Sequence, residues 1–285
     1  MASSAHSVAF GFVEQLARDL KDDRLELPAF PDAVLRIQHA LQSPDTGVND
    51  IVTIVQSDAA LAARILKTAN SAAIRRSDKE ITDLRTAVAR MGLSLVRTTA
   101  IAFAMRQLKV KDTYSPAGRV EIEGIWHDSI KIAAVCAVLA KHYTRLSGDQ
   151  ALLAGLLHVL GRLYVVMRAE EHVKAKPFER IDVREIAAGW HAAICTAIVT
   201  SWGLPEALQH AVEKQDEIDL ELEGDVTLTD VLIAAKALAS ASDPAELAGK
   251  CPAIARLSAC RGGNALKALQ IHQDEIDALR TSLAE

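Results

Sequence analysis

Apolar residues recur with a helical period along most of the chain. In the first segment Val8, Phe12, Leu16 and Leu20 stand four positions apart, and similar spacing returns in almost every later segment. Residues three or four apart share one face of a helix, so this spacing predicts amphipathic helices with one buried side. No segment alternates apolar and polar residues over the length of a strand. The pattern predicts an all-α protein.

Turn residues and caps divide the pattern into separate predicted helices. Asp58 and Thr82 are predicted N-caps, because their side chains can accept hydrogen bonds from the first free backbone amides. Gly92 is predicted to end a helix in a left-handed conformation, and Pro205 is predicted to be a first helical residue. The predicted helices cover approximately residues 8–20, 32–41, 48–55, 58–70, 82–92, 94–105, 121–142, 150–167, 183–202, 206–214, 229–241 and 264–285.

Composition agrees with packed helices and a sizeable core. Half of the 285 residues are hydrophobic but only 4% are aromatic, a mixture that favours helices over sheets. The four cysteines form no CxxC pair, and Cys195 lies in an apolar run that predicts burial rather than reactivity. The chain begins without the pattern of a secretory signal, and its apolar runs look too short to cross a bilayer. We therefore expect a cytoplasmic protein without membrane contact.

Charge is distributed unevenly along the chain. The net charge is −5, which argues against general nucleic-acid binding. Between Arg64 and Lys111 there are eleven basic and three acidic residues, whereas residues 212–246 contain ten acids and two lysines. Opposed charges of this kind are typical of solvated helix faces, or of surfaces for a charged partner or a second copy in a homo-oligomer. On the second interpretation Arg75 and Arg76 are candidate partner-binding residues.

An ordered series of short motifs resembles the HDOD domain, the bacterial HD-related output domain. The first half carries Leu-Pro-Ala-Phe-Pro at 27–31, Asp-Ala-Ala-Leu at 58–61, Asn-Ser-Ala at 70–72 and Arg-Met-Gly at 90–92. The second half carries Trp-His-Asp-Ser at 126–129, Gly-Leu-Leu-His-Val-Leu-Gly at 155–161, His191, and Trp-Gly-Leu-Pro at 202–205. The resemblance implies an HD-domain-like helical bundle with an additional N-terminal helical lobe.

This resemblance sets the expected domain boundaries. We expect an N-terminal helix at 1–23, an HDOD domain at 24–217 with lobes at about 24–112 and 119–217, and a C-terminal helical extension at 218–285 that packs on the HD-like lobe. Where many members of the family show two adjacent histidines after Trp-Gly-Leu-Pro, this chain has Gln215 and Asp216. Lys236 lies near the position where hydrolases of the HD superfamily carry a late aspartate.

The Gly155–Gly161 segment resembles an HD metal site that has lost a ligand. Catalytic HD domains place a carboxylate directly after a histidine, but this chain has Val159 after His158. Without that oxygen a pair of cations lacks a bridging ligand, so we expect no catalytic residue and no cofactor. His127, His158 and His191 stay residual candidates for one divalent metal ion. With Asp128 they also outline a remnant ligand-binding cleft.

These features predict a non-catalytic signalling or regulatory domain whose partner is another signalling or regulatory protein. One alternative is a sensor that uses the remnant cleft to bind a metal, a nucleotide or a cyclic dinucleotide. A residual metal-dependent phosphohydrolase is a further alternative. The last is a DNA-binding regulator, in which the helix–Gly92–helix segment would act as a helix-turn-helix. The second of those helices is largely apolar, which predicts that it is buried and argues against the DNA-binding alternative.

Overall fold

The computed structural model describes residue 18, residues 32–71, residue 74, and residues 80–109, 114–175 and 183–284. These ranges are helical and contain no strand, which confirms the predicted all-α fold. The predicted first helix apart from residue 18, together with Leu27–Pro31, Arg75 and Arg76, lies outside the described residues. The helices are α1 (Asp32–Ala40), α2 (Val48–Gln56), α3 (Ala59–Ala69), α4 (Leu84–Lys109), α5 (Pro116–Tyr143), α6 (Gly148–Leu157), α7 (Leu160–Ala175), α8 (Val183–Ser201), α9 (Glu206–Glu213), α10 (Leu228–Ser240), α11 (Pro252–Arg261), α12 (Ala268–Ile271) and α13 (Gln273–Ala284).

Helices α1 to α4 form the first lobe, in which α4 packs against the other three. Asp58 caps α3, because its Oδ1 accepts hydrogen bonds of 3.0 Å from the amides of Ala60 and Leu61. The prediction that Thr82 caps the next helix is wrong by one residue. The side chain of Asp83 accepts a bond of 2.8 Å from the amide of Thr86 instead, and a carboxylate in this place also favours the positive end of the helix dipole.

A kink at Gly92 divides α4 into two helical halves. Its φ of 77° lies in the left-handed region, as the sequence predicted. After the kink, Val96, Ala100 and Ile101 are fully buried. This confirms that the second half of α4 is a core element.

The long helix α5 is the centre of the second lobe. It packs against α6, α7, α10, α11 and α13, and from Ile132 to Ala140 every residue is buried. At its N-terminus the Oγ of Ser115 accepts a bond of 3.0 Å from the amide of Gly118. Glu170 of α7 in turn accepts bonds from the amide and the hydroxyl of Ser115, at 2.6 and 2.7 Å. The start of α5 is thereby fixed to α7.

Two predicted helices have different bounds in the structure. The segment predicted as one helix over 150–167 is interrupted at His158 and Val159, so α6 and α7 are separate. The predicted C-terminal helix over 264–285 is divided into a 3₁₀ turn, α12 and α13, and α11 before it has no counterpart among the predicted helices. Helix α11 begins at Pro252 and ends at Gly262, whose φ is 72°. Pro and Gly in those places are ordinary helix boundaries.

The lobes and the C-terminal extension contact one another directly. Helix α4 packs on α6, and the hydroxyl of Thr98 donates a bond of 3.3 Å to the carbonyl of Asp149. Helix α13 packs on α5. At its other end, Nη2 of Arg64 in the first lobe donates to the carbonyls of Ser282 and Leu283, at 3.4 and 3.1 Å. The extension therefore touches both lobes.

Two stretches have the length and mean hydropathy of a membrane-spanning helix, Leu84–Gln107 and Gly148–His172. The first contains the Gly92 kink, and the second contains the break between α6 and α7. The apolar window of the second stretch is 89% buried inside the protein. Burial of that kind is typical of helices in a protein core. The expected cellular location stays a prediction.

Candidate functional site

Two glycines hold the helices around His158 unusually close together. A Cβ on Gly155 would collide with the backbone of Ala133, so α6 lies directly on α5 at this point. A Cβ on Gly161 would collide with the backbone carbonyl of His191, so α7 lies directly on α8. Only glycine permits such an approach of two backbones. The Gly-Leu-Leu-His-Val-Leu-Gly motif therefore fixes where His158 and His191 stand.

His158 is enclosed in the core just after α6. Only 4% of its surface is exposed, and its Nδ1 lies 2.6 Å from the carbonyl oxygen of Gly155. Burial, followed by the positive charge of Lys236, lowers the pKa of His158 to about 3. The ring is therefore neutral at physiological pH. Its next neighbour Val159 is also buried and supplies no oxygen.

His191, Asp216 and Lys236 form a chain of polar contacts at one edge of the second lobe. The Nε2 of His191 lies 2.8 Å from Oδ2 of Asp216. The other carboxylate oxygen, Oδ1, lies 2.6 Å from the ammonium nitrogen of Lys236. Gln215 accepts a further bond of 2.9 Å from the same ammonium. A carboxylate of Asp216 thus joins an imidazole of α8 to an amine of α10.

The pKa values of Asp216 and Lys236 reflect the attraction between the two side chains. Partial burial opposes ionisation of Asp216, but the hydrogen bond from His191 and the charge of Lys236 outweigh it and hold the pKa of Asp216 well below its usual range. Burial lowers the pKa of Lys236, and the carboxylate of Asp216 counters that shift. The 2.6 Å contact favours the charged form of both Asp216 and Lys236. The ammonium of Lys236 supplies the positive charge in this part of the site.

A cavity of about 610 Å³ opens beside His191, between α5, α7 and α8. Asp128 lies at its edge and accepts a charged hydrogen bond of 3.2 Å from Nη1 of Arg162, which also lines it. The Nδ1 of His191 is buried and has no hydrogen-bond partner among the described residues. The cavity thus combines a largely apolar wall with one ion pair at its edge. The remaining lining residues are Val120, Glu121, Gly124, Ile125, Val166, Ala187 and Ala188.

His127 stands apart from the other predicted site residues. Its side chain is 66% exposed and its Nε2 lies 3.3 Å from Oε1 of Glu123, one turn earlier on α5. It does not line the cavity, whereas its neighbour Asp128 does. The ring of His127 instead points to solvent and to Glu123. The structure brings Asp128 and His191 to the cavity, with His158 buried nearby and His127 outside.

The donor set does not fit the metal centre that a phosphohydrolase of this fold would need. A dinuclear centre requires oxygen ligands that bridge two cations. Here Val159 has none, and both oxygens of Asp216 are engaged by His191 and Lys236. Among the described residues, no three potential ligands of this cleft lie within 4.8 Å of one another. The ammonium of Lys236 would also repel a cation.

Lys236 was predicted from the sequence to lie near the site, but its hydrogen-bond partners were not. Gln215 and Asp216 were noted only as departures from the family's two histidines, yet both bind the ammonium of Lys236. The sequence did contain a signal for this pairing, because Lys236 and Asp216 both depart from the family pattern and carry opposite charges. A partly buried lysine needs an acceptor of opposite charge. The predicted burial of Cys195 is confirmed. Its Sγ donates to the carbonyl of Leu157 at 3.1 Å, and burial raises the pKa of the thiol to about 12.

Comparison with known proteins places this arrangement in a family. The sequence profile of the HDOD domain matches residues 27–218. An uncharacterized protein from Treponema pallidum (strain Nichols) is 29% identical over 216 residues, which cover 70% of this chain and 39% of that protein. This chain therefore spans about two fifths of the length of that relative.

Solved structures share the fold over nearly the whole chain. A crystal structure of a candidate metal-dependent phosphohydrolase from Shewanella amazonensis SB2B is 27% identical, with a TM-score of 0.78 over 97% of this chain and 99% of that one. An HDOD domain protein of unknown function from Geobacter sulfurreducens is 20% identical, with a TM-score of 0.70 over 100% and 99% of the two chains. The second likeness is one of fold alone. Both confirm the HD-domain-like helical architecture.

Proposed function

The chain belongs to the HDOD family, and from that premise we propose that it is a non-catalytic regulatory domain of signal transduction that acts by contact with another protein. Membership of this family fits a regulatory role. The finer proposal depends on one observation, the 2.6 Å ion pair between Lys236 and Asp216. An internal ammonium stands where a hydrolase needs cations, so the site keeps its architecture without the means to activate water.

An assay for phosphodiester hydrolysis tests the absence of catalysis. The full chain would be incubated with bis(p-nitrophenyl) phosphate and with a cyclic dinucleotide, each in the presence of Mn²⁺ and again with a chelator. We expect no difference between the two conditions. Hydrolysis that requires the metal and disappears with chelator would overturn the proposal that the domain is non-catalytic.

The cavity rim is the surface that we assign to the partner. Val120 lies at this rim with 74% of its surface exposed, more than any other large hydrophobic residue in the described ranges. An exposed apolar side chain beside an apolar cavity and an ion pair is the composition expected at the centre of a protein contact. A partner segment with one apolar side chain for the cavity and polar groups for Arg162 and Asp128 would match it.

Comparative capture from native cell extract tests this surface. Immobilised wild type and Val120→Glu would be compared with Ile271→Glu, a control at another exposed apolar residue that is 60% exposed. We expect Val120→Glu to lose specific proteins that wild type and the control both retain. Equal capture by all three proteins would place the contact elsewhere. Charge reversal at Arg75 and Arg76 then tests the predicted basic partner surface.

A second candidate function is favoured by the cavity itself. Its volume of about 610 Å³ falls within the ordinary range of small-molecule sites, and the Asp128–Arg162 ion pair at its edge offers polar contacts to a ligand. The domain would then sense a nucleotide or cyclic dinucleotide without cleaving it. A ligand that binds the folded state raises the melting temperature by mass action. A thermal-shift panel of nucleotides that leaves the melting temperature unchanged at saturating concentrations would contradict this candidate.

A further inference from the structure

A second cluster of potential ligands lies where the C-terminal extension meets α5, at the opposite end of that helix from its capped start. His142 is in the last turn of α5, His272 directly precedes α13, and Glu275 is in the first turn of α13. The Nε2 of His142 lies 2.8 Å from Oε2 of Glu275. The rings of His142 and His272 are stacked, with centroids 4.0 Å apart and planes inclined by 16°.

Potential ligand atoms of the three side chains lie close together. One ligand atom from each lies within 4.8 Å of the other two, and all three residues are partly buried. Within the described ranges, no other three His, Cys, Asp or Glu side chains come together in this way. Ligands of a tetrahedral zinc ion stand about 3.3 Å apart, given metal–ligand distances of about 2 Å. A separation at the 4.8 Å limit would shorten by about 1.5 Å around an ion, whereas the 2.8 Å separation of His142 and Glu275 would widen by about 0.5 Å.

Neighbouring residues contact the cluster, and one of the two stacked rings would turn to direct a nitrogen at the ion. His272 and Glu275 are three residues apart at the start of a helix, a spacing that places both on one face. Lys141 binds the other carboxylate oxygen of Glu275, with Nζ 2.6 Å from Oε1, which leaves Oε2 directed at His142. The side chain of Lys141 is 60% exposed, so solvent screens its charge more than that of Lys236, which is 21% exposed. The edge of Tyr143 packs against His272, with centroids 5.9 Å apart. Such partners outside the ligand set commonly orient metal ligands.

We propose that His142, His272 and Glu275 bind a single zinc ion, with solvent as the fourth ligand. Two imidazoles and a carboxylate form a familiar zinc donor set, and partial burial leaves a path for the ion. The ion would join the end of α5 to the start of α13. Because Arg64 holds the other end of α13, the zinc site fixes the docking of the extension. The site is independent of the remnant cleft and of the function proposed for it.

Zinc titration of the full metal-free chain tests the site. Isothermal titration calorimetry should give one ion per chain, and Co²⁺ in place of zinc should give the intense visible absorption of a four-coordinate site. His272→Ala should weaken zinc binding by roughly tenfold or more, because it removes a ligand. Glu275→Gln keeps the side-chain shape and should also weaken binding, which covers the case in which His272→Ala does not fold.

Two matched variants identify the site that binds. His127→Ala removes an exposed imidazole elsewhere on α5 and should leave the affinity unchanged. His191→Ala removes the ring of the remnant cleft and should also leave it unchanged. The proposal is overturned if wild type binds no zinc, if His272→Ala and Glu275→Gln bind as wild type does, or if binding is lost in His191→Ala instead.

Discussion

The α-carbon of Gly161 lies against the backbone carbonyl of His191, so closely that no side chain fits between the two helices. This contact sets the distance between α7 and α8 and therefore the position of the His191 ring above Asp216. A glycine in a helix interior normally destabilises it relative to alanine. Its presence here is explained by the close approach of the two backbones.

Replacement of Gly161 by Ala should separate α7 from α8. Because the carbonyl of His191 is backbone and cannot rotate away, we expect the free energy of unfolding to fall by about 3 kcal/mol, a typical upper cost of overpacking. Chemical denaturation measures the change. In Gly189→Ala the added methyl meets nothing within 4 Å, and better helix propensity should raise stability by roughly 0.5 to 1 kcal/mol. Equal effects of the two substitutions would refute the packing explanation.

Replacement of Lys236 by Met should change two pKa values in the site. After burial, the charge of Lys236 is the largest influence that lowers the pKa of His158, so that pKa should rise from about 3. The pKa of Asp216 should rise as well, since the nearby positive charge that lowers it is lost. NMR titration measures both.

The matched control for this experiment is Lys131→Met. Its ammonium nitrogen donates a bond of 2.7 Å to the carbonyl of Ala239 at the end of α10 and makes no described contact with the site. Both pKa values should stay as in wild type. If Lys236→Met leaves them unchanged as well, the ion pair does not control the electrostatics of the cleft.

Acidification should destabilise the protein through His158. The pKa of this residue is about 3 when folded but 6.5 as a free side chain, so below pH 6.5 the unfolded chain binds a proton that the folded chain does not. Stability is therefore unaffected by this group above pH 6.5 and falls as the pH decreases from 6.5 towards 3. Between pH 6.5 and 4.5 the loss is about 2 to 3 kcal/mol.

A variant without the titrating ring isolates that contribution. The difference in unfolding free energy between pH 6.5 and 4.5 should be smaller in His158→Gln than in wild type by about that amount. His127→Gln, at an exposed position, should follow the wild-type pH dependence. If the unfolding free energy of His158→Gln falls with decreasing pH as steeply as that of wild type, another group causes the acid sensitivity.

Replacement of Arg256 by Ala should destabilise the protein, because it leaves a buried carboxylate without its charged partner. Asp230 has a side chain only 1% exposed, and its Oδ1 lies 2.8 Å from Nε of Arg256. Arg256→Ala leaves that carboxylate buried beside its helix cap, which should lower the unfolding free energy by about 3 kcal/mol. Arg280→Ala breaks an exposed pair with Asp277 and should change it by less than about 1 kcal/mol. Thermal or urea denaturation compares the two, and similar losses would contradict the role of burial.

Local patterns in the sequence predicted most of the fold correctly. The helical period, the cap at Asp58 and the left-handed Gly92 each depend on residues close together in the chain, and all three are confirmed. The break after α6 was missed, because Leu156 to Leu160 contains no residue that disfavours helix. It is explained by packing. The close contact at Gly155 places α6 against α5, and the close contact at Gly161 places α7 against α8. Tertiary contacts of this kind leave little trace in local composition.

The site was harder to predict than the fold. Asp128 and His127 are adjacent in sequence, and only the rotation of α5 decides which of them reaches the cavity. The bond from Lys236 to Asp216 joins residues twenty positions apart on either side of an acidic loop. No periodicity encodes such a pairing. The two residues meet because α9 and α10 pack together in the folded protein.

Helix α13 is fastened at one end to the second lobe through Glu275 and at the other to the first lobe through Arg64. These two attachments oppose hinge motion, because rotation of one lobe away from the other would break the contacts at one end of α13. An event that loosens one end would leave only the direct contacts between the lobes, such as the packing of α4 on α6, to resist their reorientation. The C-terminal helix is thus a mechanical coupling between the two halves of the domain.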